Sequence, residues 1–157
     1  MAFVPIWYSI GATNKAHQTW MALEQARIQS AGSFLTTVWN PYDPITFEAA
    51  REEGKIVVVD FTAEWCINCK ALKAAVLDQD PVKKRLAEDD DIVMFTADNT
   101  SRNAYGWDLM FEIGQTGIPL LAIWSPDDPL KEPWQSTAYT SDQVIEALDD
   151  AQREVQD

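Results

Sequence analysis

Histidine and cysteine are nearly absent from this chain: among 157 residues there is one His, His17, and two Cys, Cys66 and Cys69. Two cysteines three apart cannot staple a domain of this length, which argues against a disulfide-framework fold. The same scarcity argues against zinc, because four ligands are usual, no second Cys pair exists and His17 is remote from the first. A lone distant histidine also disfavours Cys–His hydrolase chemistry. Basic residues are few. Twelve Lys and Arg stand against 25 Asp and Glu, a net charge of −13, so nucleic acid would be repelled. The imbalance is uneven: residues 1–40 carry only Lys15, Arg27 and Glu24, and the acid excess lies beyond them. No apolar run reaches the roughly 18 residues that span a bilayer, and the N-terminus lacks a charged-then-apolar leader pattern. The expectation is a cytosolic protein, or one from which a signal or membrane portion has been cut. Internal repeats and low-complexity segments are also missing.

What is present is an apolar content near one half, with seven Trp, in a chain long enough for one real core. The organising stretch is Lys55-Ile-Val-Val-Val-Asp60-Phe-Thr-Ala-Glu-Trp65-Cys66-Ile-Asn-Cys69-Lys70. Ile56 to Val59 is a continuous β-forming run, the pattern of a strand buried on both faces. Ala71 to Leu77 consists of strong helix formers. A Cys-x-x-Cys at such a strand-to-helix junction signals redox chemistry.

The spacing has a physical reason. Helix positions three apart hold their Cβ atoms about 5–6 Å from one another. A disulfide needs about 3.5–4.5 Å. Cys66 is therefore expected at the half-formed first turn, where the backbone can tighten. There the unpaired N–H groups and the positive end of the helix dipole face its sulfur. Helix N-termini and Cys-x-x-Cys motifs lower a thiol pKa from about 8.5 to roughly 3.5–7.5. Cys66 is the expected nucleophile and Cys69, one turn in, the resolving thiol.

Around this centre the chain punctuates itself. Residues 1–13 are apolar and aromatic, and 14–30 form an imperfect amphipathic helix pattern closed by Gly32. Residues 34–39 are β-rich. Asp43-Pro44 starts a helix that Gly54 stops, and Lys55–Thr62 is the central strand. Asp80-Pro81 repeats the helix start for Val82–Ala87, and Ile92–Ala97 is the next strand. Thr100 or Ser101 is expected to cap a helix that reaches Ile113. Leu120–Trp124 and Trp134–Tyr139 read as strands, the second at an edge. Thr140-Ser-Asp-Gln143 is a capping box for a last helix with Val144, Ile145, Leu148 and Ala151 on one face. The order β-α-β-α-β-α-β-β-α predicts an α/β fold, a mixed central sheet with helices on both faces.

Val58 to Lys70 resembles the active-site segment of the thioredoxin superfamily, and is most similar to the C-terminal domain of DsbD-type thiol:disulfide interchange proteins. Those proteins carry a similar Ala-acid-Trp-Cys-x-x-Cys-Lys box. They also carry a later Ala-Asp-x-Thr, here Ala97-Asp98-Asn99-Thr100, and a Gly-hydrophobic-Pro, here Gly117-Ile118-Pro119. The likeness covers about residues 41–155. Ile67-Asn68 departs from the Gly-Pro of thioredoxins proper. The expected organisation is a thioredoxin-like domain over residues 34–157; residues 1–33, which the family box does not explain, read as a structural N-terminal extension packing on it.

The resemblance also implies roles. Asp60, at the end of a buried run, reads either as a solvated strand-end acid or as a desolvated base for the Cys69 proton, and the family favours the base. Thioredoxins place a lysine on the neighbouring strand near this acid; aligned on Asp98, this chain has Met94 there, which leaves the ion-pair support for Asp60 open. Pro119 is implied to follow a cis bond beside the disulfide. The Ile118 backbone would then pair with an incoming substrate strand, and Trp65 would lie on the docking surface. Glu64 either solubilises the rim or opposes thiolate formation. Lys70 reads as a solvated helix residue, and Tyr105 and Trp107 as packing residues.

Taken together, the sequence predicts a thiol–disulfide oxidoreductase, a disulfide reductase that needs no cofactor because the dithiol carries the electrons. Expected partners are the disulfides or thiols of other proteins, with a membrane electron donor. By resemblance the site of action is the periplasm, or otherwise outside the cytoplasm. Two alternatives stand beside it: a cytosolic thioredoxin recharged by a reductase, and a non-catalytic thioredoxin-fold binding module whose N-terminal aromatic segment is the working surface.

Overall fold

The computed structural model of the chain describes Met21, residues 36–126 and residues 132–154. The expectations for residues 1–33, apart from Met21, lie outside the described residues, as does the proposed working surface of a binding module.

Five strands form one sheet in the order β1-β3-β2-β4-β5. They are β1 (Trp39–Pro41), β2 (Ile56–Thr62), β3 (Ile92–Asp98), β4 (Leu120–Trp124) and β5 (Trp134–Ser136). β2 lies at the centre, parallel to β3 and antiparallel to β4. Every residue from Ile56 to Phe61 is buried, which is why the run shows no polar alternation. One face carries Ile56, Val58, Met94, Leu121 and Ile123, packed against Val76, Leu77, Leu86, Val144 and Leu148. The other carries Val57, Val59, Phe61, Phe95 and Trp124, packed against Phe47, Ala50, Leu109 and Met110. Each fully buried large apolar side chain contributes roughly 1.5–3 kcal/mol. The sheet is thus covered on both sides, as the strand and helix order predicts.

Among the described residues, five α-helices supply those covers. α1 (Pro44–Glu52) starts at Asp43, whose carboxylate accepts from Ile45 N–H at 3.0 Å and Thr46 N–H at 3.1 Å. α2 (Ile67–Leu72) continues into one π-helical segment, Lys73–Leu77. α3 is Val82–Glu88, α4 is Tyr105–Glu112 and α5 is Ser141–Glu154. Gly54 (φ 71°) and Gly114 (φ 76°) follow α1 and α4 in the left-handed conformation that closes helices. The Thr140–Gln143 capping box forms: Thr140 N–H donates to Gln143 Oε1 at 3.0 Å, and Gln143 N–H donates back to Thr140 Oγ1 at 3.4 Å.

Several boundaries differ from the sequence reading, each for a local reason. Thr36 and Thr37 form a turn, with Thr37 at φ 71°, so the first strand begins at Trp39. Pro81, after a cis Asp80–Pro81 bond, takes the position before α3, and no side chain caps that helix. Neither Thr100 nor Ser101 caps α4. The Thr100 hydroxyl accepts from Glu64 N–H, and Ser101–Ala104 forms a turn closed by Ala104 N–H to Ser101 O at 3.2 Å, which delays the helix to Tyr105. The last strand ends at Ser136, where the Ser hydroxyl accepts from Ala138 N–H.

Candidate active site

β2 delivers the chain to the site. Asp60 pairs with Thr96 of β3 and Leu121 of β4, and by strand alternation its side chain shares the face of Ile56 and Val58. That is the face covered by the helix bearing the cysteines. Ala63 ends the buried run, Glu64 and Trp65 turn outward, and Cys66 opens α2.

Cys66 occupies the N-cap position in extended conformation (φ −88°, ψ 91°). This non-helical first residue lets the pair close with a Cα–Cα distance of 5.3 Å, and Cys66 and Cys69 form a disulfide. Cys66 Sγ accepts from Cys69 N–H at 3.2 Å, so the sulfur acts as the cap of its own helix. Cys66 is 6 % exposed and Cys69 2 %, so both are buried and Cys66 is the less deeply buried residue of the pair. The two pack with Ala63 and the half-buried Ile118. The Ile118–Pro119 bond is cis and leads directly into β4. Trp65 (60 % exposed) and Ile67 (80 % exposed) flank the pair at the surface.

The turn that presents Trp65 is tied down by residues the sequence flagged for other reasons. Glu64 N–H donates to Thr100 Oγ1 at 2.8 Å, and Thr100 N–H in turn donates to Asp98 Oδ1 at 3.0 Å. Asn99 N–H donates to Thr62 O at 2.7 Å. The Ala97–Thr100 segment is therefore a clasp on the active-site loop. Lys70, expected to be only a solvated helix residue, reaches back and donates from Nζ to Glu64 O at 2.7 Å.

Asp60 is 2 % exposed. Burial pushes its carboxyl up to about 6 from the ordinary 3.8; the Lys73 ammonium pulls against that rise and Asp78 adds to it. Lys73 Nζ stands 3.6 Å from Asp60 Oδ2, a Coulombic contact longer than a hydrogen bond. Asp60 thus has a lysine after all, supplied by the cysteine helix, while Met94 on β3 is buried in the apolar layer. On its other side the ammonium lies 3.8 Å from the ring centroid of Trp39. The sequence reading missed Lys73; the signal was its position four residues after Cys69, which puts both on one helix face. Tyr139, buried near the same acid, has its phenol raised well above the usual range by burial, then by Asp60 and Asp78.

The structure brings together Cys66, Cys69 and the Ile118-Pro119 turn, and places Trp65 at the rim. Asp60 lies beneath, on the strand under the helix. Among the described residues, no cluster of three or more His, Cys, Asp and Glu could hold a metal. Tyr105 and Trp107 belong to α4, with Trp107 stacked on Phe111 at 6.2 Å. A cysteine at a helix N-terminus, disulfide-bonded to a more deeply buried one a turn later, is the arrangement of a thiol–disulfide oxidoreductase.

The chain is similar to known proteins. Over 125 residues the chain is 28% identical to the thiol:disulfide interchange protein DsbD of Pseudomonas fluorescens, covering 75% of this chain and 21% of that protein. It is 32% identical over 75 residues to DsbD of Yersinia enterocolitica, covering 48% of this chain and 12% of the relative. The chain thus spans about a fifth or less of these relatives' length. Among solved structures it is similar to the oxidised C-terminal domain of DsbD from Neisseria meningitidis, with a TM-score of 0.52 and 25% identity, covering 69% of this chain and 97% of that one. Thioredoxin f from spinach chloroplast superposes with a TM-score of 0.57 at 22% identity, covering 79% and 93%, a likeness of fold alone. The family model described as thioredoxin-like matches residues 39–126, more than half of the sequence. This chain belongs to the thioredoxin-like family.

Proposed function

We propose that the chain is a disulfide reductase of the interchange type, with Cys66 as nucleophile and Cys69 as resolving thiol. The Cys66 thiolate attacks one sulfur of a partner disulfide; a Cys66–partner bond forms and the partner's other sulfur leaves as a thiolate. Asp60 accepts the Cys69 proton, and the Cys69 thiolate attacks Cys66. The mixed disulfide breaks, Cys66–Cys69 closes, and the partner departs with two electrons as a dithiol. No cofactor enters this scheme. The observation that carries it is Cys66 at the N-cap, the less deeply buried residue of the pair, with its sulfur accepting from Cys69 N–H.

Trp65, Ile118 and Pro119 are the docking residues in this reading. Ile118 lies against the disulfide, and its backbone precedes β4, where an extended partner segment could add by strand pairing. Similarity to interchange proteins supports action outside the cytoplasm, with reducing equivalents received from a membrane donor and passed to other thiol proteins. Two measurements test the proposal. A Cys69→Ser protein should trap its partner as a mixed disulfide, and the compartment of the trapped partner decides the site of action. A reduction potential near about −270 mV supports the reducing direction, and one near about −120 mV contradicts it.

A further inference from the structure

Side chains on a helix lean toward its N-terminus, so Lys73 reaches back over the turn that carries Cys69. Its ammonium does not extend to water, although the side chain is 30% exposed along its length. Instead Nζ is itself buried, between the Trp39 ring at 3.8 Å and Asp60 Oδ2 at 3.6 Å, and neither Nζ nor Oδ2 has a hydrogen-bond partner. A lysine that turns its head inward departs from the ordinary behaviour of such side chains. Three elements converge to hold it: β1 gives Trp39, β2 gives Asp60 and the start of the π-helical segment gives Lys73.

We propose that Lys73, braced on Trp39, is the positioning residue of the resolving step, holding Asp60 as a carboxylate on the face of the helix from which Cys69 must lose its proton. The inference rests on the reading of Asp60 as the proton acceptor. The open lone pair of Asp60 Oδ2 matters here, because a 3.6 Å ion pair attracts without occupying the site the proton needs. Among the described residues, the titratable and charged groups facing Asp60 are Lys73, Asp78 beyond the π segment, and Tyr139 ahead of α5; its strand neighbours Thr96 and Leu121 do not ionise. Lys73 is the only cation of that set. Asp78 and burial both favour the neutral acid, so removing Lys73 leaves nothing in the set to oppose them.

The test reads the Asp60 carboxyl directly by carbon NMR in the oxidised protein, with Asp60→Asn identifying its resonance. Wild type should titrate near pH 6. Lys73→Met should raise that midpoint by about one unit or more, and Lys73→Arg should hold it close to wild type. Trp39→Leu should shift it in the same direction as Lys73→Met. Stopped-flow reaction of the reduced protein with an aromatic disulfide gives a second thiol-release phase when Cys69 resolves. Its pH midpoint should move with the carboxyl, which makes resolution about tenfold slower per unit on the acid side. An unmoved Asp60 midpoint in Lys73→Met overturns the assignment of Lys73, and an unmoved one in Trp39→Leu overturns the bracing. If Asp60→Asn resolves with the wild-type rate and pH profile, the reading of Asp60 as base falls; the hold of Lys73 on that carboxyl is judged from the NMR titration alone.

Discussion

The backbone N–H of Cys69 points at Cys66 Sγ from 3.2 Å, inside the small ring that the disulfide closes. The donor belongs to the helix's first turn, where it has no carbonyl to bond, so capping by sulfur satisfies an otherwise orphaned group. On reduction the same donor faces whichever form Cys66 takes, and a hydrogen bond to an anion is roughly twice as strong as one to a neutral acceptor.

A difference in reactivity follows. In the reduced protein at neutral pH, iodoacetamide should label Cys66 well ahead of Cys69, because Cys66 is more exposed and alone sits at the helix end. Mass spectrometry of the singly labelled protein checks this. Equal labelling, or Cys69 first, would reverse the assignment of roles.

Stability should carry the signature of Asp60. Its folded value of about 6 lies above the ordinary 3.8, so the fold favours the protonated form. Its contribution is therefore fully present below pH 3.8 and is lost as pH rises through 6. Asp60→Asn, a neutral stand-in, should be more stable than wild type at pH 7 by roughly 2–3 kcal/mol, with the gap closing on acidification toward pH 4. Urea unfolding of the two proteins across that window measures it. A gap that stays constant with pH would mean the acid is not perturbed.

The clasp on the active-site loop makes a third test. Thr100→Val keeps the shape and removes the oxygen that accepts from Glu64 N–H. A cost of about 1 kcal/mol is expected, together with faster hydrogen exchange at the Glu64 amide. Unchanged exchange there would show that the loop is held by other contacts.

These residues also show where the sequence was readable. The Ile56–Val59 run could be assigned to a doubly covered strand because unbroken β-formers, bounded so closely by charge and turn signals, are too short a stretch for a buried helix. Cys66 could be placed at the half-formed first turn of a helix because a disulfide across three residues does not fit a regular turn, and the structure makes it the N-cap. Helix starts were harder. Thr100 has the chemistry of a cap but spends its hydroxyl on a distant loop, and local propensity cannot see that choice. Lys73 was hidden for a related reason. It reads as one helix former among several until its ammonium is seen 3.6 Å from the buried Asp60 carboxylate. The motif around Asp98 was visible as a pattern, and only the three-dimensional arrangement gives it the task of holding the Trp65 turn.

The central claim is that the Cys66–Cys69 pair exchanges disulfides catalytically. Turbidimetric reduction of insulin by dithiothreitol tests it most directly, with wild type, Cys66→Ser and Cys69→Ser compared at equal concentration. Wild type should accelerate precipitation well above the uncatalysed rate, and Cys66→Ser should return it to background. No acceleration by the wild type, or acceleration that survives Cys66→Ser, would contradict the account.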